Sequence, residues 1–331
     1  MKKILLIPVG GTICAAVNER GTLSVARGTE SRLAMNFAAS DSPRAGDVRF
    51  DITDNLGILS ENMTVALWNR IIALYRDEAE GKAYDGVIIA HGTDTLAYTA
   101  ALFSLLLAGT DIPVFFVSAN APLDSPRTNG NANFRCAAEC ICEGIAPGVY
   151  AVYRNISDGR MYLHAASKLR QCGDYSADFF SDSAIDITGG IGGLENKTAG
   201  LARPPCSPAE GRSNLVKAAE KGLTDCVLMI RPYVGINYAA YDCRKFKAVL
   251  HGAYHSGTAC SGSGTEYDSS SIRYLLDRCA EAGTDVYLTP ARLTGGVYDT
   301  VRVIAKHPHP PLFLYGDTLE LAYAKLLLLY S

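Results

Sequence analysis

The chain contains no uninterrupted apolar run of about 18 residues, the length a membrane helix requires. A membrane-spanning helix is therefore not expected. The apolar tail Leu326–Leu329 is too short and fits a final amphipathic helix. The N-terminus, Met1-Lys2-Lys3 before a brief apolar stretch, mimics a signal peptide, but it runs into Gly10-Gly11-Thr12-Ile13 rather than an Ala-x-Ala cleavage site, and a first buried strand explains it better. Charge of one sign is also lacking. The net charge of −3 gives no general attraction to nucleic acid or to anionic membranes and points to a small substrate. No Gly-x-Gly-x-x-Gly and no Gly-Lys-Ser/Thr follows the first strand, so a phosphate cradle is not expected there. There is no Cys-x-x-Cys pair either. The 10 cysteines are scattered through helical and strand-like runs, which favours free thiols in a reducing cytosol over a disulfide scaffold. Cys136, Cys140 and Cys142 read as small apolar residues on a packed helix rather than as metal ligands. Internal repeats and low-complexity tracts are absent.

What is present is a chain of 331 residues, 48% hydrophobic and 20% charged, enough for two domains with sizeable cores. Strand and helix signals alternate. Strands are predicted near 3–9, 47–52, 86–90, 113–117 and 148–153, with helices over 64–80, 94–108 and 131–143. Thr64 or Asn62 caps the first helix and Asp94 the second. Residues 18–61 read as mostly irregular. Helices of this length between strands require right-handed crossovers, so the sheet should be parallel and covered on both faces. A stretch rich in Gly, Ser and Pro over 181–215 suggests a linker. After it the pattern resumes, with strands 226–230, 247–253 and 285–289 and helices 238–246, 270–282 and 317–330. The predicted fold class is α/β: an N-terminal domain, 1–195, with a mostly parallel sheet flanked by helices, a linker, 196–215, and a smaller C-terminal α/β domain, 216–331.

Two threonine signals stand at strand ends. Gly10-Gly11-Thr12-Ile13 follows Ile4-Leu5-Leu6-Ile7-Pro8-Val9, and His91-Gly92-Thr93-Asp94-Thr95 follows Gly86-Val87-Ile88-Ile89-Ala90. Two such edges in one α/β chain can aim two hydroxyls at one crevice. A threonine hydroxyl is a weak nucleophile and needs an adjacent base, while Gly10 and Gly11 permit close backbone approach. Asp94 admits two readings, a helix cap or an anchor for a substrate ammonium. His91 reads as structural. Ser60 and Glu61 lie at the start of a predicted helix, where N–H groups attract an anion; the alternative is an ordinary capping segment. Lys168 is a surface lysine by default and a candidate base for a threonine if buried against Asp94. His251 and His255 share an i,i+4 spacing in a strand-like and turn-like segment, which does not suit zinc.

These residues together resemble the bacterial-type L-asparaginases over nearly the full chain. The resemblance rests on Gly10-Gly11-Thr12-Ile13, Ser60-Glu61-Asn62-Met63, His91-Gly92-Thr93-Asp94-Thr95, the segment from Pro122 to Asn133, Ser167-Lys168, and Gly316-Asp317-Thr318-Leu319-Glu320. It implies a catalytic N-terminal α/β domain and a smaller C-terminal one, assembled as a homodimer or homotetramer in the cytoplasm. It implies hydrolysis of the side-chain amide of L-asparagine through a threonine acyl-enzyme, with no metal or organic cofactor. Thr12 resembles the nucleophile. Thr93, Asp94 and Lys168 resemble the second catalytic group, and Ser60, Glu61, Asp94 and Gly11 the substrate-binding set.

The sequence departs from the family pattern in three places. Family members carry a lid tyrosine downstream of the nucleophile, where this chain has Thr22, and no tyrosine precedes Tyr75. Asn120-Ala121 replaces a pair that usually includes arginine, a change expected to loosen the adjoining loop. Tyr254-His255-Ser256-Gly257-Thr258 differs from a Gly- and Asn-rich loop that reaches a neighbouring protomer. Alternative readings are a glutaminase or related amidase, including an amidotransferase component that normally carries a further N-terminal domain, and a non-catalytic amino-acid sensor.

Overall fold

In the computed structural model, the residues described are 1–17, 23–25, 28–194, 198, 201, 204–262, 264, 266–291 and 297–331. They form two compact units, Met1–Gly222 and Leu223–Ser331. No helix among the described residues is long and apolar enough to cross a membrane.

The first unit is built on a seven-stranded sheet. Its strands are β1 (Lys2–Pro8), β4 (Val48–Ile52), β5 (Gly86–Ala90), β6 (Pro113–Val117), β7 (Gly148–Arg154), β8 (Met161–Ala165) and β9 (Ile185–Asp186), and the order is β4-β1-β5-β6-β7-β8-β9. A small antiparallel pair, β2 (Ala15–Val17) and β3 (Leu23–Val25), forms separately. β1 pairs in parallel with both β4 and β5, and β5, β6 and β7 continue in parallel. From β1 the chain leads to the β4 side, and from β5 it leads to the β6 side. The carboxyl ends of β1 and β5 therefore flank a topological switch point, where α/β sheets open a crevice.

β5 and β6 are buried along their whole length, which explains their unbroken apolar runs. Helix α3 (Leu96–Leu106) is apolar on every side, and ten of its eleven residues are buried. Helix α2 (Val65–Ala79) is amphipathic and N-capped by Thr64, which accepts from Leu67 N at 3.3 Å. It buries Trp68, whose indole N–H donates to Thr99 Oγ1 of α3 at 2.9 Å. Helices α1 (Thr29–Ala38) and α4 (Gly130–Cys142) add Leu33, Phe37, Phe134 and Ile141 to the core. Cys136 and Cys140 are buried on α4, and among the described residues no cluster of His, Cys, Asp and Glu could hold a metal.

Several details differ from the sequence reading. α1 occupies part of the stretch expected to be irregular. β8 and β9, strands the sequence reading did not mark, run antiparallel within the mostly parallel sheet that it expected. Asp94 does not cap α3: Thr95 holds that position, without a side-chain cap bond. Helix α5 (Pro208–Lys221) starts inside the stretch expected to be linker and is closed by a Ser207–Glu210 capping box. It packs closely on α3. A Cβ on Gly109 would meet Pro208 at 2.3 Å, and one on Gly211 would meet the Ala108 carbonyl at 2.6 Å. The two compact units divide after α5, at Gly222.

The second unit carries a four-stranded parallel sheet, β10 (Val227–Ile230), β11 (Ala248–Gly252), β12 (Asp285–Ala291) and β13 (Leu312–Tyr315), in sequential order. Helices α6 (Ile272–Ala282), α7 (Asp299–Ala305) and α8 (Leu319–Tyr330) accompany it. The helix predicted over 238–246 is two short 3-10 turns, Tyr238–Ala240 and Cys243–Lys245.

Candidate active site

The site grows from the β1 and β5 ends. β1 pairs with β5 up to Pro8–Ala90, after which both chains turn at glycine. Gly10 bridges Ile58, and Gly11 N donates to the Ile58 carbonyl at 2.9 Å. Both glycines have positive φ, +137° and +75°, which L side chains rarely adopt. A Cβ on Gly11 would lie 2.2 Å from Gly92 Cα, and one on Gly92 would lie 2.4 Å from Ser60 Oγ. Three loops thus meet closely: 10–14 approaches 91–95 backbone to backbone, and 58–62 joins them through the Ile58 main chain and the Ser60 side chain.

Thr12 follows Gly11 directly and opens a short 3-10 turn, Thr12–Cys14, closed by Cys14 N on the Gly11 carbonyl at 2.9 Å. Thr93 follows Gly92 directly. Both threonines are half-buried. Ser60 is 4% exposed and joins the second and third loops. Its hydroxyl donates to Asp94 Oδ2 at 2.8 Å, and Thr95 Oγ1 donates to the Ser60 carbonyl at 3.0 Å. Asp94 is exposed at the mouth, and Glu61 is exposed beside Ser60. Lys168 is half-buried and ends a 3-10 turn, Ala166–Lys168, that follows β8 and packs on α3.

Gln171, which the sequence did not single out, donates from Nε2 to the Asp94 carbonyl and so ties the segment after Lys168 to the Asp94 loop. No motif announces it, because its partner is a main-chain atom. The Asn120 segment is also tied by hydrogen bonds. Asn120 N donates to Asn129 Oδ1 at 2.9 Å, Asn129 N donates to Asn120 Oδ1 at 2.8 Å, and Asn129 Nδ2 donates to the Arg154 carbonyl at 2.7 Å. These reciprocal amide–backbone bonds tie Asn120 to Asn129 at the start of α4. The position expected for a lid tyrosine, Thr22, lies outside the described residues.

His91 is fully buried, with Nδ1 2.9 Å from the Gly92 carbonyl. Burial lowers its pKa from 6.5 to about 4, against the opposing pull of that carbonyl and of Asp94. It is therefore a neutral imidazole whose Nδ1–H donates to Gly92. His164, beside Ser181, and His251, 2.7 Å from the Tyr238 hydroxyl, are likewise buried and lowered to about 4. Folded-state values below the unfolded 6.5 mean that all three contribute stability fully above pH 6.5 and lose it as pH falls toward 4. Each is worth on the order of 3 kcal/mol across that window. Urea midpoints should therefore drop between pH 7.5 and pH 4.5, before most carboxylates protonate. Midpoints unchanged over that range would contradict the neutral buried assignment.

The fold is mixed α/β, and family membership makes the chain an amidohydrolase. The chain belongs to the asparaginase family: residues 3–197 match the family model described as Asparaginase, N-terminal. It is similar to a glutamyl-tRNA(Gln) amidotransferase component from Halobacterium salinarum, at 28% identity over 90% of this chain and 67% of that one. The protein of the same name from Methanococcus maripaludis is 31% identical over 90% of this chain and 68% of that one. The chain thus spans about two thirds of the length of these relatives. Among solved structures, it shares the fold of L-asparaginase I from Vibrio cholerae, with a TM-score of 0.68 and 22% identity over 99% of this chain and 92% of that one. The thermostable L-asparaginase from Thermococcus kodakarensis gives 0.65 and 22% over 98% and 92%.

Proposed function

We propose that this chain is an L-asparaginase that releases ammonia from the side-chain amide of L-asparagine through an ester on Thr12. The observation that supports the reading is the close approach of Gly11 to Gly92, where a Cβ on Gly11 would lie 2.2 Å from Gly92 Cα, each glycine directly preceding one of the two threonines. In this reading Thr12 Oγ1 attacks the amide carbon, the C–N bond breaks, and the nitrogen leaves as ammonia with the threonine proton. Water then cleaves the ester and releases aspartate. Thr93, with Lys168 and Asp94, moves the protons. Substrate binding turns the Ser60 hydroxyl from Asp94 to the α-carboxylate, which leaves the Asp94 carboxylate to take the α-ammonium together with Glu61. Gly11 contributes main-chain contact. Self-association as a homodimer or homotetramer and a cytoplasmic location belong to the same proposal.

The names of the curated relatives favour a second reading, an ammonia-supplying component of a tRNA amidotransferase. Ammonia release from asparagine and glutamine by the isolated chain separates the two. Asparagine is expected to exceed glutamine in kcat/KM by about 10- to 200-fold, the range one methylene supplies. Equal or faster turnover of glutamine would reassign the substrate. No turnover together with aspartate binding would make the chain a binding protein.

A further inference from the structure

The loop after Gln171 is fixed at its base and open at its tip. At the base, Arg170 N donates to the Phe180 carbonyl at 3.0 Å. Asn155 brackets Phe179, accepting from its N–H at 3.0 Å and donating to its carbonyl at 3.1 Å. Asp178 is buried and accepts from Ile156 N at 2.5 Å. On the side facing the candidate site, Gln171 holds the Asp94 carbonyl. Cys172 is next, its thiol pushed up to about 12 by burial first and then by the charges of Asp178 and Asp94.

The tip contrasts with this. Ser176 N closes a turn on the Gly173 carbonyl at 3.0 Å, with Asp174 and Tyr175 at its centre. Tyr175 has φ +55°, and among the described residues no other non-glycine has positive φ. Glycine is the ordinary occupant of that turn position, and a side chain there costs about 1–2 kcal/mol. The strain brings no packing in return, since the Tyr175 ring is fully exposed. A strained backbone that presents an unpacked aromatic, four residues beyond the Gln171 that holds the Asp94 loop, suits a part that moves on binding.

We propose that residues 172–177 form a flap over the crevice, and that Tyr175 is a specificity-determining residue whose ring covers the substrate ammonium held at Asp94. The proposal rests on the asparaginase reading above. An aromatic face attracts an ammonium, by about 0.5–2 kcal/mol depending on desolvation. Closure also releases the turn strain and sheds water from the Asp94 carboxylate. The ring does this work and the hydroxyl does not.

The test is steady-state ammonia release by wild type, Tyr175→Phe and Tyr175→Ala. Two substrates are used: asparagine, and succinamic acid, which has the amide and the carboxylate but no ammonium. With asparagine, Tyr175→Ala should raise KM roughly 2- to 30-fold with kcat little changed, while Tyr175→Phe stays near wild type. With succinamic acid, all three proteins should share one KM. A loop that merely supports the fold would change both substrates alike, and that result overturns the proposal. So does an unchanged asparagine KM in Tyr175→Ala, or a kcat loss in Tyr175→Phe. Wild-type turnover of asparagine with no effect of Tyr175 rejects the flap alone. Absence of wild-type turnover rejects the underlying reading, and the flap with it.

Discussion

Thr12→Ala is expected to lower kcat for ammonia release from asparagine by about 10⁴-fold or more, the scale on which loss of a covalent nucleophile is felt. The fold should hardly notice. Thr12 is half-buried, and its turn is closed by a main-chain bond from Cys14 to Gly11 rather than by its hydroxyl. The variant should therefore melt near the wild-type temperature and still bind aspartate, because Ser60, Asp94 and their mutual bond are untouched. Thr12→Ser, which keeps the hydroxyl, should recover part of the rate. Stopped assays of ammonia with calorimetric titration of aspartate give both numbers. Thr12→Ala retaining more than about a tenth of wild-type kcat would remove Thr12 from the chemistry, since a nucleophile cannot be replaced by a methyl at that cost.

The strand ends that carry these loops were legible because burial on both faces writes a simple pattern. β5 and β6 are continuous apolar runs, and each stops where the chain must turn. α1 was not legible. Among its described residues only Leu33 and Phe37 face the core fully, and Met35 between them is 66% exposed, so the apolar stripe is too thin to announce a helix. α5 was hidden for a different reason. Its contacts with α3 need Gly211 and Pro208 at the closest approaches, and those residue types read as linker in the sequence.

Within the candidate site, residue types at strand ends were legible and the partners that distant loops bring to them were not. Asp94 looked like a helix cap because it stands one residue before one. Its carboxylate instead accepts from Ser60, a partner brought in from a distant loop that local pattern cannot reveal. Gln171 is the sharper case, since an amide side chain that holds a carbonyl carries no spacing signature at all. The buried histidines are intermediate. His91 was read as structural, and its place against the Gly92 carbonyl gives that role a mechanism: it fixes the peptide that leads into Thr93.

Gly11→Ala should be the most damaging single-methyl change in the first unit, and Gly57→Ala shows why. Both glycines have φ near +70°, +75° and +71°. Either substitution pays the left-handed backbone cost of about 1–2 kcal/mol. At Gly57 nothing lies within 4 Å of the added Cβ, so the cost ends there. At Gly11 the Cβ would stand 2.2 Å from Gly92 Cα and 2.5 Å from Gly92 N. Both obstacles are backbone, and neither can rotate away as a side chain would. Gly92 is hemmed in by Ser60 as well, since a Cβ on it would meet Ser60 Oγ at 2.4 Å. The loops must separate, and the total cost should reach about 3 kcal/mol or more, a melting-temperature drop of about 6–12 °C for a unit of this size. Separation also pulls the Thr12 and Thr93 loops out of register, where a displacement of about 1 Å is enough for a 10²-fold loss of rate. Gly57→Ala should keep kcat within about twofold of wild type and lose only a few degrees. If the two variants prove equally stable and equally active, the backbone contact between Gly11 and Gly92 does not hold the crevice together.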